Sequence, residues 1–229
     1  AVIGAPHHDH AGRDAGAAPP DLDDDDGDGS TCDLDCDDDE PLAYPGNNEV
    51  CADGIDNDCM AGTLDTCALF DDFEDGNFNG WTNEQVQTPS IAAFGANGTN
   101  MCLQMSGGTG SSHYNGLSYS FNNLTPPVIS LYVRSSSTSN SDGYVVFGGS
   151  NIGTSNTAAF CYLRDNATIT CYDGTTAHTV GAYVANTWYH LHFDIDWANQ
   201  QFDVTLDGNL VLTNIPFRGN APALQELHL

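Results

Sequence analysis

Alternating aspartates in a glycine-bearing segment are the strongest chemical signal in this sequence. Asp24, Asp26 and Asp28 are separated by single residues, and Gly29 follows directly. Carboxylates at alternate positions of a loop can turn several oxygens toward one point, and Ca²⁺ takes about six to eight oxygen ligands in flexible geometry. We therefore predict a calcium-binding loop here. The simpler alternative is a solvated acidic linker.

The spacing of this segment resembles the calcium loop of EF-hands, dockerins and thrombospondin type 3 repeats. If Asp24 takes the first position, Asp26 and Asp28 take the third and fifth, and the backbone carbonyl of Ser30 would serve at the seventh. Asp35 then falls at the twelfth position, where the EF-hand loop has Glu. No flanking helices are predicted, so only the loop itself resembles these families.

Residues 24–59 closely resemble the Cys/Asp-rich metal-binding repeat of secreted bacterial proteins. The matching pieces are Asp35-Cys36-Asp37-Asp38, Pro41, Tyr44-Pro45-Gly46, Glu49, Cys51, Asp53-Gly54 and Asp56-Asn57-Asp58-Cys59. The chain departs from the pattern at Met60-Ala61-Gly62 and in a shortened insert between Asp28 and Cys36. The resemblance implies divalent cation binding and extracellular placement, and it does not imply catalysis. With Ca²⁺ as the expected ion, the candidate ligands are Asp24, Asp26, Asp28, Ser30, Asp35, Asp37, Asp38, Asp39, Glu49, Asp53, Asp56 and Asp58.

Eight cysteines make an even count, and five of them fall within 36 residues. This density is typical of an oxidised, extracellular protein with disulfides. Thiolate ligation of a metal such as zinc is the alternative, although no Cys-x-x-Cys pair is present. Cys161 and Cys171 lie at equal distances from a predicted turn, which favours a disulfide across a hairpin. The pairing stays open for the other six, which are Cys32, Cys36, Cys51, Cys59, Cys67 and Cys102.

The charge balance excludes several classes of partner. Four Lys+Arg face 32 Asp+Glu, the net charge is -28, and no residue is Lys. Nucleic acid binding requires basic residues that displace counterions from phosphates, and docking on anionic lipid requires the same charge. No apolar run approaches the roughly 20 residues of a membrane helix. We expect neither nucleic acid binding nor membrane insertion.

The acidic residues are concentrated near the start, with 23 of the 32 in residues 1–76. This asymmetry predicts three parts. Residues 1–20 form an N-terminal arm or linker, in which His7, His8 and His10 could bind a transition metal or belong to a flexible tail. Residues 21–67 form an acidic, Cys-rich, metal-binding module built of loops. Residues 68–229 form a weakly charged body with ordinary core-forming residues.

Short stretches of β-branched and aromatic residues alternate with turn signals throughout the body. The predicted strands are 100–105, 117–121, 128–134, 144–148, 158–164, 168–172, 187–195, 202–206 and 210–215. Asp-Gly or Asn-Gly pairs lie between several of them. This spacing favours an all-β protein with an antiparallel sandwich or jelly roll.

Motifs near both ends of the body resemble concanavalin-like and laminin-G-like domains. Residues 73–81 resemble the first strand and turn of that family, residues 187–191 its W-h-H-v strand, and residues 202–208 its l-y-v-D-G hairpin. The resemblance covers about residues 69–229 and implies a laminin-G-like, jelly-roll β-sandwich. The full expectation is this sandwich preceded by a loop-rich acidic module stabilised by disulfides and calcium.

The stretch 189–197 alternates strictly, which places His190, His192, Asp194 and Asp196 on one face of a strand. That face is either a ligand or metal site or the solvated side of a half-buried strand, and the second interpretation is the simpler one. Glycoside hydrolysis is a remote alternative, because it requires two suitably placed carboxyl groups. The chain has five Glu, and no two share a body strand. We predict that the protein is not an enzyme.

Two functions remain open for a secreted or cell-surface protein of this kind. The first is adhesion, with the body binding an extracellular glycan or protein and with Trp81, Tyr114 and Trp197 available for stacking. The alternative is a structural subunit of a fibre or surface layer, in which copies of the chain assemble through residues 1–6 and calcium. Asn97, Asn123 and Asn166 begin N-glycosylation sequons that a suitable host could use.

Overall fold

The chain divides into two units, an N-terminal unit, Ala1–Phe70, and a C-terminal unit, Asp71–Leu229. The computed structural model describes residues 24, 26–31, 34–37, 39–45, 47, 55–57, 59, 69, 71–84, 88–106, 116–140 and 142–229. The described residues of the N-terminal unit form turns, bends and irregular segments. The finer division of the chain at residues 20 and 67 stays a prediction.

The C-terminal unit is built of strands, because its apolar, β-branched stretches are short and turn-forming residues separate them. The described strands are β1 (Thr82–Asn83), β2 (Thr88–Ala93), β3 (Met101–Ser106), β4 (Leu117–Leu124), β5 (Val128–Val133), β6 (Asp142–Gly148), β7 (Thr157–Leu163), β8 (Thr168–Tyr172), β9 (Ala177–Ala182), β10 (Tyr189–Asp196), β11 (Gln201–Leu206), β12 (Asn209–Pro216) and β13 (Leu224–His228).

These strands pair in three antiparallel sheets. One sheet has the order β1-β4-β13-β6-β7-β8-β9, a second has the order β12-β11-β10-β5, and β2 pairs with β3. The tight turn between β11 and β12 is Asp207-Gly208, and both residues have positive φ. A two-residue turn of this kind matches the twist of the flanking strands.

Side chains from the two larger sheets meet in one core, as in a sandwich. Phe147 of β6 and Phe193 of β10 are both fully buried, and their rings meet edge to face with centroids 5.3 Å apart. Leu191, Phe193 and Ile195 of β10 are buried while the residues between them are half-buried. Burial of one such side chain contributes about 1.5–3 kcal/mol to folding.

The fold-class prediction is confirmed: the body is an all-β, antiparallel sandwich. All nine predicted strands overlap observed ones, namely β3–β8 and β10–β12. The nine predicted strands do not include β1, β2, β9 or β13. In β9, a sheet-edge strand, only Val180 is buried, so its sequence carries little hydrophobic pattern. The described residues contain no helix, and so none that could cross a membrane.

The cysteines of the C-terminal unit differ in state. Cys161 of β7 and Cys171 of β8 face each other across the hairpin and form a buried disulfide. The assignment of Cys102 to a disulfide was wrong, because Cys102 is a free thiol. It lies on β3 directly opposite Ala92 of β2, so its cross-strand partner offers no sulfur.

Candidate metal centre

A loop at residues 24–30 is shaped by carboxylates that accept hydrogen bonds from the backbone just ahead of them. Asp24 Oδ1 accepts from the amide of Gly27 at 2.7 Å, and its Oδ2 accepts from Gly29 at 3.1 Å. Gly27 and Gly29 have φ of +83° and +100°, a region that residues with a Cβ rarely adopt. The glycines therefore let the chain curl around the Asp24 carboxylate.

The same pattern repeats at the next two aspartates. Asp26 Oδ1 accepts from the amide of Asp28 at 3.1 Å, and Asp28 Oδ1 accepts from the amide of Ser30 at 2.7 Å. Each of these bonds fixes a carboxylate and leaves its second oxygen pointing elsewhere. As a result, Asp24, Asp26 and Asp28 each place an oxygen within 4.8 Å of the others.

Two oxygens in this cluster are buried and have no hydrogen-bond partner among the described residues. They are Oδ2 of Asp26 and Oδ2 of Asp28. A buried carboxylate oxygen without a donor is costly, and native proteins supply a donor, a water molecule or a cation. The donor set therefore fits a divalent cation that prefers oxygen ligands.

The electrostatics of Asp26 reflect the same convergence. Burial raises the pKa of its carboxyl group above the usual range, and the negative charges of Asp28, Asp35 and Asp24 raise it further. The hydrogen bond from the Asp28 amide acts in the opposite direction and does not compensate. Asp35 is thus close enough to the loop for its charge to be felt at Asp26.

A second group of potential ligands consists of Asp35, Cys36 and Cys59, whose ligand atoms lie within 4.8 Å of one another. Cys36 and Cys59 are joined by a disulfide, so neither supplies a thiolate. This pair therefore does not support the zinc-thiolate alternative. The bond instead ties Cys36 to Cys59, and Cys36 Sγ also lies 3.3 Å from the backbone carbonyl of Asp56.

Buried Asn57 connects its own stretch of the chain, residues 55–57, to residues 42–44. Its backbone carbonyl accepts from the Tyr44 amide at 3.0 Å, and its side-chain amide donates to the Leu42 carbonyl at 3.1 Å. The neighbouring Asp56 has a buried Oδ1 that lacks a hydrogen-bond partner among the described residues. These hydrogen bonds connect residues 42–44 to Asn57 within the described part of the N-terminal unit.

Three further predicted ligands among the described residues lie outside these clusters: Asp37 and Asp39 are exposed and Asp56 is half-buried, and none belongs to either group of converging side chains. Half-buried Ser30 was predicted to bind through its backbone carbonyl, and that role stays a prediction. Four other predicted ligands lie outside the described residues, which are Asp38, Glu49, Asp53 and Asp58. So do the cysteines Cys32, Cys51 and Cys67, the histidines His7, His8 and His10, and Tyr114.

The polar face of β10 is the solvated side of a half-buried strand. His190 stacks on Tyr132 with ring centroids 4.5 Å apart and lies 2.6 Å from Ser130 Oγ. His192 Nε2 lies 3.2 Å from Asp194 Oδ1. Asp196 instead accepts hydrogen bonds from Asn199 in the turn that follows. These contacts account for the polar residues of this face without a ligand.

The tryptophans proposed for stacking have structural roles. Trp81 donates from Nε1 to Asp71 Oδ2 at 2.8 Å and packs edge to face on Tyr119. Trp197 donates to the carbonyl of Pro126 at 2.7 Å and packs on Phe217. Both indoles are half-buried and anchored by their N–H groups.

The predicted N-glycosylation sites lie in turns or at strand ends. Asn97, Asn123 and Asn166 are all exposed, and the backbone of Asn97 and Asn123 has a positive φ, of 47° and 53°. Asn166 accepts a hydrogen bond from Thr168 Oγ1 at 2.6 Å. The positions are therefore accessible, and their modification stays a prediction.

Sequence reasoning missed an open cleft of about 640 Å³ in the C-terminal unit. It is lined by Arg134 and Trp188 together with the loop between β2 and β3. The signal available in the sequence was the positive charge of Arg134, because the chain has only four basic residues.

Comparison with known proteins finds a similarity to a family model in the N-terminal unit and a similarity in fold to a solved structure. Residues 35–66 match the Cu-binding MopE family, whose description is "Putative metal-binding motif". No curated protein matches the chain. A solved structure entitled "Sialidase" is similar in fold, with 14% sequence identity and a TM-score of 0.50. The similarity covers 69% of this chain and 14% of the sialidase chain, so this chain spans a small part of that protein's length.

Proposed function

We propose that this is a secreted, non-catalytic protein whose N-terminal unit binds Ca²⁺ and whose sandwich binds an extracellular glycan or protein. The observation that carries the metal half is the convergence of carboxylate oxygens from Asp24, Asp26 and Asp28, together with the buried Oδ2 atoms of Asp26 and Asp28, which have no hydrogen-bond partner among the described residues. The match to a metal-binding motif begins at Asp35, five residues after Ser30 at the end of this loop. A laminin-G-like identity for the sandwich belongs to the same proposal.

The chemistry of the donors favours calcium over copper. The described donors of the loop are carboxylates, which suit hard cations such as Ca²⁺, whereas copper favours nitrogen and sulfur ligands. The two described cysteines nearby, Cys36 and Cys59, form a disulfide with each other and therefore supply no thiolate ligand. The matched family's name refers to copper, and the donors described in this chain point to a different ion.

The proposal that the protein is secreted rests on the oxidation state of its cysteines. Two disulfides occur among the described residues, Cys36–Cys59 and Cys161–Cys171. Disulfides persist in oxidising, extracellular compartments and are rare in the cytosol. The fibre alternative depends on residues 1–6, which lie outside the described residues, so it stays a prediction.

Four carboxyl groups of the sandwich support the proposal that the protein is not an enzyme. A glycosidase needs a general acid with a raised pKa. Hydrogen bonds instead lower the pKa of four carboxyl groups below the usual range. For Asp173 and Glu226 they outweigh the effect of burial, and for Glu74 and Asp196 a neighbouring asparagine side chain is the largest cause. These groups stay ionised at neutral pH and act as hydrogen-bond acceptors.

Calorimetric titration of the full chain with CaCl₂ tests the metal half of the proposal. A variant that combines Asp26→Asn with Asp28→Asn keeps both Oδ1 acceptors and removes the negative charge, so it should bind Ca²⁺ at least tenfold more weakly. Asp75→Asn is the matched control, because Asp75 Oδ1 accepts the Asn77 amide in a similar turn outside the cluster. No calcium heat from the native chain, or equal affinity in the double variant, would overturn the assignment.

A further inference from the structure

The open cleft of the C-terminal unit has the size and composition of a small-ligand site. Its volume of about 640 Å³ lies within the range of roughly 300–1,000 Å³ found for such sites. Three segments meet there: the loop between β2 and β3, the residue that follows β5, and the residues that precede β10. Its side-chain lining consists mainly of Phe94, Thr99, Asn100, Arg134, Asn186 and Trp188.

The walls of the cleft are held in place before any ligand arrives. Trp188 Nε1 donates to the carbonyl of Phe94 at 3.0 Å, which ties the segment before β10 to the β2–β3 loop. The Glu74 carboxylate accepts from the backbone amides of Asn100 and Met101 and from the Asn100 side chain. The indole is therefore fixed by the opposite wall of the cleft and the Asn100 amide by Glu74, which is not among the lining residues, and this lowers the entropic cost of binding.

Phe94 is both exposed and strained. Its side chain is 78% exposed, and its φ is +75°. A left-handed backbone is a true outlier for a bulky residue, and such strain persists where the surroundings enforce it, often at ligand clamps. An aromatic ring held at a cleft mouth in this way contributes little to the core of the free protein. It offers an apolar face to a ligand instead.

Arg134 supplies a positive charge at the same place. Its guanidinium lies 5.8 Å from the centroid of the Trp188 ring, and Nη2 donates to Asn186 Oδ1 at 3.3 Å. The ion pairs among the described residues are all made by histidines, so no described carboxylate neutralises this exposed arginine. The guanidinium fork matches the geometry of a carboxylate or a sulfate group.

We propose that this cleft binds a saccharide that carries an anionic group, either a carboxylate or a sulfate. The anionic group binds Arg134, and the sugar ring packs its apolar C–H face on Phe94 or Trp188. The amides of Asn100 and Asn186 exchange hydrogen bonds with ring hydroxyls. This inference rests on the glycan-binding role proposed for the sandwich and names its ligand class, and it does not depend on the calcium loop.

Three matched probes test the inference on the full chain: a galacturonic acid tetramer, a sulfated galactose tetramer and a neutral galactose tetramer. Binding is measured by calorimetry or by ligand-observed NMR. We expect at least one anionic tetramer to bind at least tenfold more tightly than the neutral one. The first two probes distinguish a carboxylate source from a sulfate source. Failure of both anionic probes to bind would overturn the inference.

Two variants connect the binding to the cleft. Arg134→Gln should weaken anionic tetramer binding at least tenfold, whereas Arg164→Gln should leave it unchanged. Arg164 is the matched control, since its guanidinium lies 5.7 Å from the Tyr162 centroid, outside the cleft. Phe94→Gly relieves the positive φ and should weaken binding without lowering the melting temperature. Equal binding by Arg134→Gln and the native chain would overturn the assignment.

The same measurements distinguish anionic saccharide binding in the cleft from the more general proposal that the sandwich binds a glycan. Binding of the neutral tetramer as tightly as the anionic ones would overturn the anionic ligand class and leave a glycan-binding sandwich standing. Binding of an anionic tetramer that survives Arg134→Gln would place the site elsewhere on the sandwich.

Discussion

Asp26 accepts the backbone amide of Asp28 through Oδ1 at 3.1 Å, while Oδ2 of each residue is buried and has no described hydrogen-bond partner. The bond between the two residues thus fixes the loop, in which Asp24, Asp26 and Asp28 each place one carboxylate oxygen within 4.8 Å of the others. Without a counter-ion, three carboxylates so close together repel one another. A cation bound at this loop would therefore reduce the electrostatic repulsion among the three carboxylates.

Calcium should stabilise the protein against heat. A ligand that binds only the folded state adds stability by mass action, about 2.7 kcal/mol at roughly a hundredfold excess over Kd. We expect the melting temperature of the native chain to rise with CaCl₂ and to fall back when EGTA is added. The measurement is differential scanning calorimetry of the transition that involves the N-terminal unit.

The double variant Asp26→Asn with Asp28→Asn is the control for that shift. It should melt at the same temperature with CaCl₂ and with EGTA, because it lacks the converging charges. A full calcium shift in this variant would place the stabilising ion elsewhere in the chain.

The Cys161–Cys171 disulfide should contribute measurably to the stability of the sandwich. It closes a loop with a sequence separation of 10 residues between two buried positions. Constraint of the unfolded chain by such a loop is worth about 2–3 kcal/mol in the chain-entropy model. We expect the double variant Cys161→Ala with Cys171→Ala to lose about that much stability in urea unfolding.

Cys102→Ala serves as the comparison for this pair. Cys102 is half-buried and forms no disulfide, so its replacement should cost less than about 1.5 kcal/mol. Equal destabilisation by the two changes would show that packing, rather than the covalent bond, stabilises β7 and β8.

Much of the sandwich could be predicted because its strands alternate strongly and are separated by turn residues. The stretch around Leu191, Phe193 and Ile195 is the clearest case, and all three are buried. Edge strand β9 could not be predicted, since a single buried Val180 leaves no periodic pattern. Local sequence also cannot reveal which strands neighbour one another, such as β13 between β4 and β6.

Of the two candidate sites, the aspartate loop could be predicted from the sequence and the cleft could not. The Asp24–Asp28 convergence could be predicted because its residues are close in sequence and the turn chemistry is local. The cleft could not be predicted, because Phe94, Arg134 and Trp188 come from three distant segments that only the folded sandwich brings together. Each indole N–H of Trp81 and Trp197 is anchored inside the protein, and a stacking role for these residues stays a prediction.

The free thiol of Cys102 should react slowly with alkylating reagents. Burial raises the pKa of this thiol, and the positive charge of Arg134 offsets that effect only in part. Because the thiolate is the reactive form, little of it exists at neutral pH. We expect iodoacetamide, added without reductant, to label the Cys102 peptide faster at pH 9 than at pH 7 and faster in urea than in the native state.

Peptides containing Cys161 and Cys171 provide the internal reference for this labelling. They should stay unlabelled until a reductant is added, since both sulfurs are in a disulfide. Protection of Cys102 from iodoacetamide in urea without reductant would show that this cysteine is oxidised in the protein as isolated.

Acid should destabilise the sandwich through Glu226. Its carboxylate accepts from the amides of Asn151 at 2.8 Å and Ile152 at 3.0 Å, and His228 Nε2 lies 3.0 Å away. Burial by itself would raise the pKa of Glu226, but these hydrogen bonds outweigh it and lower the pKa below the ordinary value of 4.5. The stabilisation is therefore fully present above the pKa of the unfolded state and is lost as the pH falls through the lower pKa of the folded state.

Glu226→Gln should remove this contribution at neutral pH, at a cost of about 1–3 kcal/mol for the charged hydrogen bonds. Its stability should consequently fall less steeply than that of the native chain between about pH 5 and pH 3. Asp165→Asn, which changes an exposed carboxylate in the β7–β8 turn, should leave the acid limb of the curve as it is. Urea unfolding at several pH values measures both slopes. Parallel curves for the native chain and Glu226→Gln would mean that the acid sensitivity of the sandwich originates at other carboxylates.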